Sequence, residues 1–406
     1  IPTVKHIIVM NNTGNQASDA LAASAKIHDY EDLIAGEPTE FTWPDIDENS
    51  PMGLCYTSGT TGHPKGVMYT HRSNYLHTIT GGLPDALALR RDDTVMAVVP
   101  MFHANAWGLP YICMMLGLKQ VFPGPTMDGA SVCQLLQDEH VTFTGGVPTI
   151  AWQLIEHPER EKYDLSSLES IGYGGAPSAP ELVRKIREVF GALPGNGWGM
   201  TETTATVTSH SSEDYLNRPE SAGPAVPVAS LKVTDPDGNE LPAGEIGELW
   251  ASGPMIVAGY WNNPEATATT FFDGWVRTGD LAWLDAEGFV HIADRAKDIV
   301  IRGGENIYSS EVENVLYEHP AVMDAAVVGV PHRTLGEEPA AVVHLRPGTA
   351  ASEAELQSWV RERLAAFKVP VRILFLAETL PRNANGKILK KELRKPYWEG
   401  RDRATV

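Results

Sequence analysis

The stretch YTSGTTGHPKGV, Tyr56 to Val67, packs four serine or threonine residues, three glycines and one lysine into twelve positions. Gly59, Gly62 and Gly66 allow close backbone approach to a ligand. Thr57, Ser58, Thr60 and Thr61 offer donors beside exposed N–H groups, and Lys65 adds a full charge. The chemistry such a set could do is to cradle an anion; an ordinary surface loop has the same composition. The spacing is not that of a P-loop, because no Ser or Thr follows Lys65 and only His63 and Pro64 separate it from Gly62. Phosphate held here must be held by another architecture.

At 406 residues the chain exceeds one ordinary core, and about two or three domains are expected. Hydrophobic residues at 43% and charged residues at 21% are in the range of globular proteins. A formal net charge of −20 argues against nucleic-acid or anionic-membrane partners, both of which select basic surfaces. Cations that meet phosphate must then be concentrated locally. Cys55, Cys113 and Cys133 show no metal spacing and no disulfide framework, which fits a reducing, cytoplasmic setting. The longest clean apolar piece, Ala106 to Leu118, is too short for a transmembrane segment and reads as buried core or pocket lining.

Periodicity supplies the elements that position these residues. Val95–Val99, Val141–Thr144 and Ser170–Tyr173 read as strands, and Asp128 caps a helix running through Glu139. A further helix carries Leu182, Val183, Ile186, Val189 and Phe190 on one face and stops at Gly191. Such alternation implies an α/β domain with a parallel sheet covered by helices. From Ala225 to Trp250 the rhythm becomes antiparallel β, with turns at Asp235-Pro-Asp-Gly-Asn and Pro242-Ala-Gly. After Asp294 a small α+β unit follows: a short strand at Ile299–Ile301, a capping box at Ser310-Glu-Val-Glu313, strands at Val322–Val330, Ala340–Leu345 and Val371–Leu376, and a helix over Ala354–Phe367. The expected organisation is a large domain over 1–293, a hinge at 294–298 and a small mobile domain over 299–406.

Further stretches occur in a fixed order: YGGAP (Tyr173–Pro177), GWGMTET (Gly197–Thr203), RTGD (Arg277–Asp280), DRAKDIVIRGGENIYSSEVE (Asp294–Glu313) and PRNANGKILK (Pro381–Lys390). With the opening loop, this series resembles that of the adenylate-forming superfamily of acyl-CoA synthetases, adenylation domains and luciferases, from about residue 50 onward. PMFHANAWGLPY (Pro100–Tyr111) is most similar to medium- and long-chain fatty acyl-CoA synthetases, and it lacks the aspartate with which amino-acid-activating members hold an amine. The resemblance implies an ATP-dependent acid–thiol ligase, using Mg²⁺ and coenzyme A, that forms an acyl-adenylate and then a thioester. The alternatives are an aryl-acid CoA ligase, or an acyl-AMP ligase that passes its product to a carrier protein. Family members carry a longer segment before the Gly/Thr loop than the 55 residues seen here, so the large domain is expected to be incomplete at its N-terminus and this chain alone unstable or inactive.

Residue roles also come from the resemblance. Thr57, Ser58, Gly59, Thr60, Thr61, Gly62 and Lys65 are implied to wrap the β- and γ-phosphates. Gly174, Gly175 and Ala176 are implied to border adenine and acyl group, Trp198, Gly199 and Met200 to continue that wall, and Thr201 to meet the α-phosphate. Glu202 holds Mg²⁺ in this scheme, and Asp280 and Arg295 contact the ribose. Lys387 supplies the catalytic cation between carboxylate and α-phosphate. Lys297 occupies the hinge, Gly303 and Gly304 line a passage for the pantetheine arm of coenzyme A, and His103 and Trp107 belong to the acyl pocket. Taken alone, each has a plainer reading: a solvated glutamate, a turn aspartate, an exposed lysine, a glycine turn, a satisfied histidine, a core tryptophan. The expected partners are a carboxylic acid, ATP and coenzyme A, and the family likeness extends to a homodimer.

Overall fold

Helix caps and stops written into the sequence set the frame of the large sheet. In this computed structural model, residues 4–10, 26–57, 64–124, 126–175, 180–383 and 386–399 are described; Ser58, Gly59, Thr60, Thr61, Gly62 and Ala176 lie outside the described residues. Ile1–Asp47 and Glu48–Val406 form two units. The first pairs His6–Val9 in parallel with Lys26–Asp29, and Asp29 caps the helix Tyr30–Ile34 by accepting from the Glu31 amide at 2.8 Å.

The second unit is built around a six-stranded sheet. Its order is Ala205–His210, Leu193–Met200, Ser170–Gly174, Phe143–Gly146, Thr94–Ala97 and Lys119–Val121; the first pair is antiparallel and the others parallel. Three helices, Gly129–Asp138, Pro148–Glu156 and Pro180–Phe190, pack their apolar faces on it. Asp128 accepts from the Ala130 and Ser131 amides, Pro148 sits where its missing N–H costs nothing, and Gly191 leaves the helix with φ +68°. Met96, Leu136, Leu154, Ile171, Leu182 and Ile186 are fully or almost fully buried between the layers. Burying each such side chain contributes about 1.5–3 kcal/mol.

A five-stranded antiparallel sheet follows, Ser230–Thr234, Gly247–Ser252, Trp275–Leu284, Phe271–Phe272 and Val290–Arg295. The hairpin Pro51–Tyr56 with Gly66–Thr70 carries the Gly/Thr loop between its arms. A separate mixed sheet holds Glu305–Ile307, Val300–Arg302, Gly336–Leu345, Val322–His332 and Ile373–Leu376, with Ser309–Tyr317 and Glu353–Arg361 packed over its core. The fold is therefore α/β with a large and a small α+β part. Among the described residues, no helix is long and apolar enough to cross a membrane.

Three local expectations change. Ser310 does not cap a helix: the helix is Ser309–Tyr317, its N-cap Tyr308 makes no side-chain bond, and the Ser309 amide and hydroxyl donate instead to Asp294 Oδ2 at 2.5 and 2.7 Å. A buried carboxylate from another element takes the capping role, and Glu313 turns to Lys390 Nζ at 2.6 Å. The helix expected over Ala354–Phe367 ends at Arg361, because Ala365 is extended and Ala366–Lys368 forms a separate 3₁₀ turn. Its start was encoded one step earlier, where Ser352 accepts from the Glu355 amide at 3.2 Å. The apolar piece Ala106–Leu118 divides: Ala106, Leu109, Ile112, Cys113 and Leu118 are buried and Trp107 lines a cleft, as expected, whereas Met114 is 75% exposed.

Candidate active site

Parallel strands deliver whatever follows them to the sheet's carboxyl edge, where ligands of such sheets bind. Here the segments after Thr94–Ala97, Ser170–Gly174 and Leu193–Met200 open into one cleft of about 720 Å³. From the large part it is lined by Thr57, Lys65, His103, Trp107, Gly174 and Gly175, and further round by Gly199, Met200, Thr201, Glu202, Asp280 and Arg295. Lys297 lines it too, and Lys387 reaches it from the small part. Most of the described candidates thus share one cavity although the chain separates them by up to 330 positions (387 − 57).

Glu202 sits in the 3₁₀ turn Thr201–Thr203 and is 6% exposed. Its Oε1 accepts from the Tyr260 hydroxyl at 2.6 Å, and its backbone oxygen accepts from the Val257 amide at 3.0 Å. Lys65 Nζ lies over the Tyr260 ring, 4.6 Å from the centroid. Burial first, then the Glu202 charge, hold the Tyr260 phenol well above its usual range, so it remains a donor. Among the described residues no group of three acidic, His or Cys side chains could enclose a metal ion. One buried carboxylate suits Mg²⁺, which keeps waters and takes most other ligands from phosphates.

Asp280 Oδ2 accepts from Trp198 Nε1 at 2.9 Å, and Oδ1 meets Arg295 Nε at 3.1 Å. Trp198 therefore acts as the support of Asp280 and is not itself among the cleft-lining residues. Lys387 follows Gly386, whose φ of +75° and close approach to Val147 bring the segment against the large part. Burial, then the neighbouring Arg295 and Lys297 charges, push the Lys387 ammonium down to about 7, against the pull of Asp280 and Asp298. Lys297 is lowered to about 8, by burial first and by Arg295 and Arg394, with Asp298 opposing. Arg295, Lys297, Lys387 and Arg394 thus line one cleft in a chain of net charge −20, a local grouping of basic side chains that suits an anionic ligand.

The third wall is strained. Ala104, Asn105, Ala106 and Trp107 all have φ between +44° and +57°, followed by Gly108 at +73°. Left-handed backbone costs roughly 1–2 kcal/mol per non-glycine residue, and such strain gathers at working sites. Cys55 Sγ donates to Asn105 Oδ1 at 3.3 Å, and a Cβ on Gly108 would lie 2.8 Å from the buried His77 ring. His77 Nε2 in turn accepts from the Thr206 amide at 3.1 Å. The turn places Trp107 against Gly174 and Gly175, where added Cβ atoms would sit 3.6 and 3.8 Å from its indole. His103 precedes the turn, and burial lowers its pKa. Behind Trp107, Gly145, Gly172 and Gly195 align across three strands as part of the cleft lining, beside Phe143 and Leu109.

Gly303 and Gly304 do not line this cleft; they form the tight turn between Val300–Arg302 and Glu305–Ile307, with φ of +61° and +90°. Sequence reasoning missed Tyr260 and Arg394, and placed Asp298 only in the hinge; all three line the cleft.

Residues 2–261 match the family described as AMP-binding enzyme, and residues 311–387 match the AMP-binding enzyme C-terminal domain. The chain belongs to the AMP-binding enzyme family. It is an enzyme of the acid–thiol ligase class. Over 97% of its length this family member is 39% identical to a 3-methylmercaptopropionyl-CoA ligase of Ruegeria lacuscaerulensis, spanning 74% of that protein. It is 38% identical, over 98% of its length and 74% of the relative, to a medium-chain-fatty-acid–CoA ligase of Ectopseudomonas oleovorans. Its fold matches the o-succinylbenzoate coenzyme A synthetase of Bacillus subtilis in complex with ATP and magnesium ion, with a TM-score of 0.82 and 30% identity over 96% of this chain and 79% of that one.

Proposed function

We propose that this AMP-binding enzyme is an ATP-dependent fatty acid–CoA ligase. A carboxylate is a poor acyl donor because oxide is a poor leaving group; joining it to AMP with release of pyrophosphate replaces oxide by a good one, and a thiol then displaces AMP. The observation that carries the reading is Lys387: a cation from the small part lodged in the cleft that also holds Lys65, Glu202 and Asp280. Two anions must meet in the first step, so charge neutralisation and alignment are the chief work.

In this reading the Gly/Thr loop and Lys65 take the β- and γ-phosphates, Thr201 the α-phosphate, and Asp280 with Arg295 the ribose. Gly174 and Gly175 border the adenine. Glu202 holds Mg²⁺, which would screen phosphate charge when bound. Lys387 must carry its proton to lie between carboxylate and α-phosphate. The apolar side of the cleft, with Trp107, Leu109 and Phe143 over the Gly145–Gly172 floor, supports an unbranched aliphatic acid without an amine. The segment 294–298 serves as the hinge between 1–293 and 299–406, Lys297 rotates there for the second step, and Gly303-Gly304 then admits the pantetheine thiol.

Pyrophosphate exchange into ATP, run over aliphatic and aromatic acids and followed by thioester formation with coenzyme A, tests this. Exchange with aliphatic acids and thioester production is expected. Preference for aromatic acids would move the substrate class, acid-dependent exchange without thioester would indicate carrier loading, and no exchange with any acid would remove the reading.

A further inference from the structure

The segment around Tyr260 ties two parts of the cleft together. The Trp261 amide donates to the Gly66 carbonyl at 2.7 Å, and Tyr260 bridges to Val67, so the strand leaving the Gly/Thr loop is fastened to it. The Val257 amide fastens the same segment to the Glu202 carbonyl at 3.0 Å, and Met255 accepts from the Thr204 hydroxyl at 2.6 Å. Between the two attachments stands one buried ring. Its hydroxyl is given to Glu202 and its face to Lys65. The lysine and the glutamate thus contact the same residue in one cleft, and among the described residues no ion pair joins them.

We propose that Tyr260 is a positioning residue that keeps Lys65 and Glu202 apart, so that each stays available to a triphosphate and its divalent cation. The inference rests on the nucleotide-binding reading above. The ring face attracts the ammonium electrostatically without neutralising it, and the phenol satisfies one carboxylate oxygen while leaving the charge in place. Without the ring, Lys65 and Glu202 would collapse into a pair, and nucleotide would have to break it before binding.

Two variants separate the ring from the hydroxyl. Equilibrium binding of ATP to the purified chain is measured by calorimetry, without divalent cation and across a Mg²⁺ titration. Tyr260→Phe keeps the ring, so metal-free ATP binding should stay within about twofold, while the Mg²⁺ needed for half-maximal enhancement rises about tenfold. Tyr260→Leu loses both contacts, so metal-free ATP binding should itself weaken about tenfold through the Lys65–Glu202 pair. A second substitution, Glu202→Gln in the Tyr260→Leu background, should restore that metal-free affinity. If both single variants bind as the unaltered chain does, or if Glu202→Gln gives no recovery, the proposal is overturned. Should Tyr260→Leu not fold, Tyr260→Met, which also removes both the aromatic face and the hydroxyl, takes its place in the same measurements and is read in the same way. Absence of ATP binding by the unaltered chain would instead remove the parent reading, and this one with it.

Discussion

Trp198 gives its indole N–H to Asp280 Oδ2 at 2.9 Å, joining the large sheet to the antiparallel one across 82 positions of sequence. Arg295 holds the other carboxylate oxygen, so Asp280 is fixed from both sides at 6% exposure. A carboxylate locked this way presents its remaining lone pairs in one direction, which suits the ribose contact proposed for it. Trp198→Phe removes one charge-assisted hydrogen bond, worth about 1.5–3 kcal/mol. The KM for ATP in pyrophosphate exchange should rise about tenfold or more, with kcat less affected. Unchanged ATP dependence would mean that Trp198 merely packs.

The role proposed for Lys387 predicts that adenylation depends on pH. Its role needs the ammonium, and the free protein holds that group near 7, by burial and by Arg295 and Lys297. The rate from free enzyme, kcat/KM for ATP, should therefore fall as pH rises through about 7, whereas thioester formation from added acyl-adenylate should not share that limb. Stability runs the other way. Between about 7 and the ordinary lysine range, the unfolded chain binds the proton that the folded chain lacks, so this group's contribution to stability increases with pH across that window. Lys387→Ala should slow adenylation by about 10²-fold or more and largely spare the second half-reaction. Equal loss in both halves would assign Lys387 a structural role.

Much of the frame was readable because its signals are local. Asp128 reaches amides two and three residues on, and Gly191 stops a helix by its own backbone freedom. The failures share a different cause. Ser310-Glu-Val-Glu313 has every residue of a capping box, yet the buried Asp294, 15 positions upstream of Ser309, outcompetes it. The short helix after Ser352 ends because Ala365 is extended, which apolar spacing alone does not reveal. Tyr260 stayed hidden because its partner Glu202 is 58 residues away, so only tertiary structure makes the pair. Most of the described motif residues line one cleft, but the motif series does not tell which residues hold them in place.

The second half-reaction tests the hinge. Lys297 lies in the 3₁₀ turn Ala296–Asp298, directly after the last strand of the antiparallel sheet, and the Lys297 carbonyl accepts from Arg394 at 3.4 Å. Proline would fix φ there and restrict rotation of the small part. Lys297→Pro should depress thioester formation from acyl-adenylate by more than it depresses pyrophosphate exchange. Equal reduction of the two would place the pivot elsewhere.

In the proposed reading, the Trp107 indole and the Gly174 backbone set the room for the acyl group. An added Cβ at Gly174 would fall 2.7 Å from the Gly197 carbonyl and 3.6 Å from Trp107. The first distance cannot be relieved by a side-chain rotation, because the obstacle is backbone on the neighbouring strand. Gly174→Ala should therefore displace the strand or the nucleotide wall, raising the KM for ATP and acid together. Trp107 differs, because it ends a strained left-handed turn and nothing but its indole would be lost. Trp107→Ala should leave the KM for ATP within about twofold while moving the kcat/KM optimum toward bulkier acids by about 1–3 kcal/mol, roughly 10-fold or more in relative rate. Measuring kcat/KM over a homologous series of straight-chain acids gives the answer directly. If the series profile of Trp107→Ala overlays that of the unaltered enzyme, Trp107 does not face the acyl chain, and the aliphatic reading of this wall loses its main support.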